Sequence, residues 1–371
     1  MKILYCFCII FFCNVVNSQI KIDLYKHINN SEIVKISEVA RSIIYIPLET
    51  TYNSLLSDEL QIYYAENDIF VGDQKTSCFY RFDKSGKFKN VIGKKGDGPK
   101  DYLSAIMFYV DEKANIVYLV SPQTRTLYQY NYEGEFLGKV TFEKVPWNIQ
   151  KIEDKYLFYN NRFNRIASDE HVKELYLADN YGHIIKELPT TIKNAAMDMV
   201  LFEMPFFYEF SGNIFYKNPL LDTVYKVKYP LDIEPYMEII TGPMNRNIND
   251  YKDIDNFNDQ VSVRNIIESD SSLMIVYAYH GRFNNLWFNK KTLEARNVVN
   301  NSPGFYDDIY EGPDILPYWL SSSKENVFVA LLTYEEIMEA KAQIENILHK
   351  DNESYSIPED TNPILIVVNL K

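Results

Sequence analysis

The sequence predicts an all-β fold, a β-propeller of six four-stranded antiparallel blades, from three observations. Tyrosine and phenylalanine are abundant, at 30 and 22 of 371 residues, and aromatic side chains favour strands. A turn of the form Asx-x-x-Gly recurs at Asp83, Asn131 and Asp179, at intervals of 48 residues. Each turn lies among short strand-like segments, and units of roughly 40–50 residues with four short strands are typical of propeller blades.

Three regular units and three less regular ones account for the chain from residue 60 onward. They span 60–92, 105–142, 148–188, 206–240, 261–299 and 318–369. The sixth unit has an expected inner strand at Tyr318–Ser321 and a third strand at Pro363–Asn369, but no fourth strand of its own. The unassigned β run Ser42–Leu48 would supply that strand, so we expect the two ends of the chain to close one blade and remove an open sheet edge.

One helix is predicted, as an insertion in the sixth unit over residues 334–348. Its apolar residues fall on one helical face: Ile337, Ala340, Ile344, Ile347 and Leu348. We expect this face to pack on the propeller, with a partner-binding helix as the alternative.

The first 18 residues match a secretory signal peptide. Lys2 precedes an apolar run that ends at Cys13, and Val16 and Ser18 place small residues before the cut. The alternative is a lipid anchor on Cys13, which the bulky Phe12 before it disfavours. The predicted organisation is therefore a signal peptide at 1–18, a loose lead-in at 19–41 and the propeller at 42–371, in an exported protein of the periplasm or cell envelope.

Charge and cysteine content limit the partners and the redox chemistry. The formal net charge of −13 disfavours nucleic acids and anionic membrane surfaces as partners. No later stretch is long and apolar enough to span a membrane, and we expect a monomer. Only Cys78 remains after the leader, so no internal disulfide is predicted, and its apolar surroundings indicate a small buried hydrophobe.

A loop between the first two units concentrates three glycines and a proline: Gly93, Gly96, Gly98 and Pro99. We expect these glycines to include positions with positive φ, and Pro99 to fix the exit into the second unit. The loop lacks the terminal Lys-Ser/Thr of a phosphate-binding P-loop, and no helix pattern follows it. It is therefore interpreted as a structural turn.

Three motifs resemble those of the six-bladed propeller proteins that Bacteroidetes export in large numbers, which are similar to NHL-repeat propellers. They are Tyr45–Thr50, the glycine loop within Ile92–Tyr102, and Asn362–Val367. The resemblance covers essentially the whole mature chain and implies an exported propeller, without a reaction. Lys100 departs from the smaller residue that is frequent in the family, and many of the relatives look like lipoproteins, which this chain does not.

The sequence contains no recognisable catalytic set, metal site or cofactor site. The five histidines are not spaced for metal binding, and no Gly-x-Ser-x-Gly elbow occurs. Adjacent carboxylates such as Asp307 and Asp308 point to opposite faces of a strand, so they are poor acid–base pairs.

Basic residues recur in the loops that should share one face of the ring. They are Lys94, Lys95, Arg125, Arg162, Arg165, His280 and Arg282, with His171 near them in sequence. Such a basic mouth would suit an anionic ligand, because arginine matches carboxylate geometry, although basic residues are also common in exposed loops. The sequence thus predicts a binding module for an anionic glycan, a peptide or an envelope protein. The alternative is a propeller enzyme, of the polysaccharide lyase or glycoside hydrolase type, with its site in the central cleft.

Overall fold

The computed structural model is a six-bladed β-propeller with a helical insertion near the C-terminus, which confirms the predicted fold class. The structure describes residues 20–160, 162–163, 173–189, 199–200, 205–245, 259–323, 325–349 and 356–371. The predicted signal peptide and Cys13 lie outside these residues, as do Arg165 and His171. Only the backbone is described at Arg162.

Blades 1 to 5 are four-stranded antiparallel meanders whose first strand lines the central channel, and blade 6 retains the second, third and fourth strands of this pattern. Blade 1 consists of Leu60–Tyr64, Asp68–Asp73, Cys78–Asp83 and Phe88–Val91, and blade 2 of Met107–Asp111, Ile116–Ser121, Thr126–Asn131 and Phe136–Thr141. Blade 3 consists of Asn148–Ile152, Lys155–Tyr159, Lys173–Ala178 and Ile184–Pro189, and blade 4 of Phe206–Phe210, Asn213–Lys217, Thr223–Lys228 and Asp232–Ile240. Blade 5 consists of Ser262–Glu268, Ser272–Tyr279, Arg282–Asn289 and Ala295–Val298, and blade 6 of Val327–Leu332, Ile364–Leu370 and Ala40–Pro47. A separate two-stranded pair joins Arg162–Phe163 to Met199–Val200.

The ring closes by pairing the two ends of the chain, as predicted. Ala40–Pro47 is the outer strand of blade 6 and runs antiparallel to Ile364–Leu370, with Tyr45 opposite Ile366. Alternate residues of Ile364–Leu370 enter two neighbouring parts of the core, with Ile364, Ile366 and Val368 in one and Leu365 and Val367 in the other. The pairing thereby completes blade 6 with a strand from the N-terminal part of the chain.

The inner part of blade 6 differs from the prediction. Pro317 bridges Ala330, and the Tyr318 N–H donates to the Val329 carbonyl at 2.8 Å, but the chain then leaves this blade. Ser321–Ser323 instead pairs in parallel with Ile62–Tyr64 and becomes a fifth strand of blade 1. The expected strand Tyr318–Ser321 is therefore wrong, because the chain crosses from blade 6 to blade 1 within it.

The predicted loose lead-in is instead a packed belt, residues 20–39, around the outside of blades 4 to 6. Its strand Ile20–Asp23 pairs in parallel with the outer strand of blade 4, and Ser31–Glu32 pairs with that of blade 5. Two short helices, Leu24–His27 and Ile36–Val39, follow these strands. The belt is held because its apolar residues are buried between neighbouring blades: Ile22, Leu24, Ile28, Val34, Ile36 and Val39.

The insertion is helical over Tyr334–Glu339 and Lys341–His349, with an interruption at Ala340 where one helix was predicted. Thr333 and Glu336 form a capping box at the first turn. Ile337, Ile344 and Ile347 are buried against blade 6, which agrees with core packing of the apolar face. A 3₁₀ turn lies at Gly242–Met244. Among the described residues, no helix is long and apolar enough to cross a membrane.

The repeated Asx-x-x-Gly turns connect each of the first three blades to the blade before it. Gly86, Gly134 and Gly182 have φ values of +86°, +82° and +89°. A Cβ on any of them would lie 2.0–2.3 Å from a carbonyl oxygen at the end of the preceding blade's outer strand, on Pro47, Val91 and Thr141 respectively. Glycine is required here both for the backbone conformation and for the close approach of two backbones.

In the loop between blades 1 and 2, one glycine has the expected conformation. Gly93 has a φ of +69°, and its Cα faces the ring of Tyr130. Gly96 and Gly98 lie outside the left-handed region, and a Cβ there would instead come within 2.7 Å of the Asp101 carboxylate. The loop is fixed by hydrogen bonds between Tyr102 and the backbone of Lys94 and Gly96, with the Tyr102 side chain fully buried.

Asn362 fixes the loop that leads from blade 6 into blade 1. Its buried side-chain amide donates to the Glu49 carbonyl at 3.0 Å and to the Ser54 carbonyl at 2.6 Å. Its Oδ1 accepts the Leu56 N–H at 3.0 Å. One side chain therefore satisfies three main-chain groups that have no strand partner.

We expect Gly134→Ala to lower the free energy of unfolding by about 2–4 kcal/mol, through backbone strain and the clash with the Val91 carbonyl. Gly138→Ala is the matched control, because nothing lies within 4 Å of its added Cβ. That control should change stability by no more than about 0.5 kcal/mol. Chemical denaturation measures both, and equal effects at the two sites would contradict the proposed role of the turn.

We expect Asn362→Ala to destabilise the protein by about 2–4 kcal/mol, because it removes the side-chain partner of the buried Ser54 carbonyl and that of the partly buried Leu56 N–H. Asn369→Ala removes a single exposed bond to the Ser42 hydroxyl and should cost less than about 1 kcal/mol. Thermal melts of the two variants compare them directly. If Asn369→Ala lowers stability as much as Asn362→Ala, the hydrogen bonds of Asn362 to the loop do not explain its contribution to stability.

Candidate functional site

The meander gives the ring two different faces. Turns between strands two and three, and the connections between blades, lie on one side, which we call the loop face. Turns between strands one and two, and between strands three and four, lie on the other side, which we call the turn face. The two faces therefore present different sets of side chains to a ligand.

Five of the residues predicted to bind an anionic ligand lie on the loop face within the described part of the chain, and three of them are engaged with their own surroundings. The Lys95 Nζ donates to the Thr76 carbonyl at 3.1 Å, and the Arg125 Nη1 donates to the Glu143 carbonyl at 3.0 Å. The His280 ring lies 3.5 Å from the Asp259 carboxylate and contacts the Tyr279 ring. Lys94 and Arg282 are exposed. An anionic ligand at these residues stays a prediction.

The principal cavity is the central channel, and its lining reaches mainly to the turn face. Its volume is about 1990 Å³, and none of Lys94, Lys95, Arg125, His280 and Arg282 lines it. All six blades contribute to its wall through their inner strands and the turns that follow. Among the described residues, nine carboxylates and seven lysines or arginines line it, so its net charge is small for its size. Aromatic side chains also line it: Tyr63, Tyr109, Tyr132, Tyr229 and Trp319 among them.

A ring of six carboxylates, which we call the carboxylate ring, surrounds the turn-face end of the channel. In blades 1 to 5 the carboxylate lies within two residues of the end of the first strand, and in blade 6 it lies two residues before Val327. The members are Glu66, Asp111, Glu153, Glu209, Glu268 and Glu325. Among the described residues, no group of three acidic, histidine or cysteine side chains is close enough to hold a metal ion.

Glu209 lies near the carboxylates of two other blades in this ring, Asp111 and Glu325. Its side chain is exposed to the open channel, but partial desolvation by the channel walls still raises the pKa of its carboxyl above the ordinary value, and the two nearby carboxylates raise it further. Lys113 opposes them. The Glu325 carboxylate also accepts the Ser211 N–H, on the turn that follows Glu209, so blades 4 and 6 approach each other across the channel.

Glu268, in contrast, is committed to holding blades 4 and 5 together. Its buried carboxylate accepts the Tyr208 hydroxyl at 3.0 Å and the Tyr236 hydroxyl at 2.5 Å. The Lys290 Nζ donates to it at 2.6 Å. With three donors on one carboxylate, the negative charge is satisfied within the protein and is not offered to a ligand.

Blades 1 and 2 are joined by similar bonds at the cavity wall. The Tyr63 hydroxyl donates to the Glu112 carboxylate at 2.9 Å, and burial raises the pKa of that hydroxyl well above its ordinary value. Arg81 makes a two-pronged pair with Asp68, at 2.9 and 3.1 Å, and also donates to the Tyr132 carbonyl. These charged groups fix the wall and keep the cavity polar.

Lys217 is a buried amine on the loop-face side of blade 4, away from the cavity. Burial lowers the pKa of its ammonium group to about 7, with a smaller opposing effect from Asp222. Its Nζ donates to the carbonyls of Asn218 and Leu221, so it caps the turn between strands two and three. The side chain is only 2% exposed, which makes it a structural group and not a site.

Sequence reasoning missed the cavity wall because it aligned the units on their Asx-x-x-Gly turns. Alignment on the ends of the first strands would have placed Asp111, Glu153, Glu209 and Glu268 within one residue of a common position. That recurrence was a readable signal for the carboxylate ring. No sequence pattern predicts that Trp319 lines the channel, because that residue belongs to the segment that leaves blade 6.

These features define a six-bladed propeller with a wide polar channel. The chain belongs to the family described as Domain of unknown function (DUF4934), whose model matches residues 19–369. A search of curated proteins found no match.

Two solved structures show the same fold. A Bacteroides fragilis protein described as exported has a TM-score of 0.72 at 20% identity, over 95% of this chain and 99% of its own. A member of the DUF4221 family from Bacteroides vulgatus has a TM-score of 0.56 at 11% identity, over 90% and 97%. At these identities the similarity concerns the fold alone.

We expect Glu209→Gln to raise the melting temperature at neutral pH more than at pH 4. A carboxyl whose pKa is raised on folding contributes stability below its unfolded pKa and loses it as pH rises through the folded value. Removing the ionisable group should therefore raise the melting temperature by an amount that grows as the pH increases from 4 to 7. Lys113→Met should have the opposite effect over this range, because Lys113 stabilises the charged form. Melts across this pH range give the comparison, and a pH-independent difference for Glu209→Gln would contradict it.

Proposed function

We propose that the protein is an exported binding module of the cell envelope that holds a neutral glycan in its central cavity. The observation that supports this is the lining of the cavity, which combines aromatic faces with many hydrogen-bonding groups and little net charge. Sugar rings stack on aromatic side chains, and their hydroxyls pair with carboxylates and amides. A strongly charged ligand would suit this wall less well, because the cations and carboxylates largely balance.

Export and envelope location are supported by two observations. The solved structure with a TM-score of 0.72 is described as an exported protein, and the first 18 residues have the pattern of a signal peptide. We further propose a monomer without a lipid anchor. Mass spectrometry of the mature N-terminus tests the absence of a lipid anchor, and a diacylated species beginning at Cys13 would refute it.

The test of ligand chemistry is a screen of the mature chain against neutral, acidic and amino glycans and against peptides, followed by calorimetry. We expect neutral glycans to bind, and Trp319→Ala and Tyr109→Ala to weaken binding by about tenfold each, the scale of one lost aromatic contact. Lys95→Ala and Arg125→Ala, on the loop face, serve as controls and should leave that affinity unchanged.

Other outcomes separate the alternatives. If acidic glycans or peptides bind and the loop-face variants weaken them, the site is the basic mouth predicted from the sequence, and the cavity proposal fails. Binding that none of the four variants alters would place the ligand elsewhere on the ring. Absence of binding by every neutral glycan would refute the proposed ligand class.

A second candidate function, cleavage of the bound glycan, is favoured by Glu209. A carboxyl with a raised pKa beside the carboxylate of Asp111 is the combination that general acid–base catalysis uses. If the protein is an enzyme, prolonged incubation should release new reducing ends, and Glu209→Gln should abolish release while preserving binding. Unsaturated products would identify a lyase, and no release of fragments would leave the binding function alone.

A further inference from the structure

One part of the cavity wall is not an inner strand of the usual kind. Residues Trp319–Ser323, which we call the inner segment, leave blade 6 and lie along the channel beside blade 1. Leu320 accepts the Ile62 N–H at 3.0 Å, and Ser321–Ser323 continues the parallel pairing. The segment therefore forms a seam between blades 6 and 1, inside the channel.

The inner segment is anchored by polar contacts, one ring stack and Leu320, which is partly buried against the core of blades 2 and 3. The Asn265 amide donates to the Ser321 carbonyl at 2.9 Å, and the Trp319 ring stacks on Phe283 at 5.4 Å. None of its five residues is fully buried, and three of them are serines. The other inner strands each bury apolar side chains, such as Ile62 in blade 1 and Ile266 in blade 5. A short strand with little apolar burial opens at a lower free energy than the strands around it.

Blade 6 does not depend on the inner segment for its own sheet. Val327–Leu332 pairs along its length with Ile364–Leu370, which in turn pairs with Ala40–Pro47. Pro317 and Tyr318 remain attached to Val327–Leu332 before the segment departs. Detachment of the inner segment would thus break its bonds to blade 1, the bond from Asn265 and the bond from the Ser323 hydroxyl to the Val327 carbonyl, without unfolding either blade.

We propose that the inner segment is a movable wall of the central cavity, which detaches from Ile62–Tyr64 and thereby enlarges the cavity. The idea that this movement controls ligand entry rests on the proposed function. The movement itself does not depend on that function. The attachment points define the motion: the chain swings about Tyr318, whose hydroxyl is held by the Leu60 carbonyl at 2.8 Å. The small side chains of Ser321–Ser323 can leave the space beside blade 1 with little loss of apolar packing, and the contact of Leu320 with the core of blades 2 and 3 is an apolar contact that the motion must break.

The register supplies an internal reporter of this motion. In a strand paired on both sides, successive N–H groups point to opposite neighbours. The Ile62 N–H donates to the inner segment, so the N–H of Gln61, opposite Gly72, points to the second strand of blade 1. Detachment of the inner segment exposes the Ile62 amide and leaves the Gln61 amide protected.

Residue-resolved hydrogen exchange of the folded protein tests the proposal without any ligand. We expect the Ile62 amide to exchange at least about tenfold faster than the Gln61 amide, after correction for intrinsic rates. Equal rates, whether both slow or both fast, would overturn the proposal, because the segment would then be fixed or blade 1 would open as a whole.

A disulfide between blade 1 and the inner segment provides the second arm. Ser322 lies opposite Tyr63 in the register, so Tyr63→Cys and Ser322→Cys can be joined in a Cys78→Ser background. Oxidation should slow exchange at Ile62 to the rate at Gln61, and reduction should restore the difference. The single Tyr63→Cys variant controls for loss of the bond to Glu112. Fast exchange at Ile62 in the oxidised protein would refute the proposal even if glycans bind in the cavity.

Discussion

Contact between two backbones sets the spacing of the first blades. In each Asx-x-x-Gly turn the glycine Cα approaches a carbonyl oxygen of the preceding blade so closely that no side chain fits between them. Such an approach requires a positive φ and the absence of a Cβ at the same residue, and only glycine offers both. Because blades pack face to face through large aromatic side chains, a displaced turn would also shift rings such as those of Phe142 and Phe158 in the adjoining core. The geometry of the channel follows from this spacing.

The sequence predicted most of the fold because the fold repeats. The Asx-x-x-Gly interval, the number of short strands and the unassigned run at Ser42–Leu48 together gave the six blades and their closure. The departures lie where local pattern and tertiary context disagree. Residues 20–39 are too polar to identify as a packed belt, yet alternate apolar side chains bury between blades. Tyr318–Ser321 has the composition of a strand, but its pairing partner lies in a different blade.

The candidate site was less predictable than the fold, for a physical reason. A propeller assembles its channel from side chains far apart in sequence, so Asp111, Glu209 and Glu325 become neighbours only after the ring has formed. Charges in the loops are visible in the sequence, but their mutual distances are not. The basic residues predicted for the loop face that the structure describes, Lys94, Lys95, Arg125, His280 and Arg282, therefore do not line the cavity. The carboxylate ring, in contrast, follows from an acidic residue that recurs at or near the turn-face end of the first strand in blades 1 to 5.

The closure of the ring also has a kinetic consequence. Ala40–Pro47 pairs with Ile364–Leu370, so its register joins residues that are separated by almost the whole length of the chain. The entropy of closing so large a loop must be lost before the pairing contributes any stability, and folds dominated by distant contacts form slowly. Synthesis from the N-terminus produces Ala40–Pro47 early, and that strand has no partner until Ile364–Leu370 has been made. The closed ring is thus the last structure to form, whereas the meanders of blades 1 to 5 pair strands that follow one another in sequence and need no distant partner.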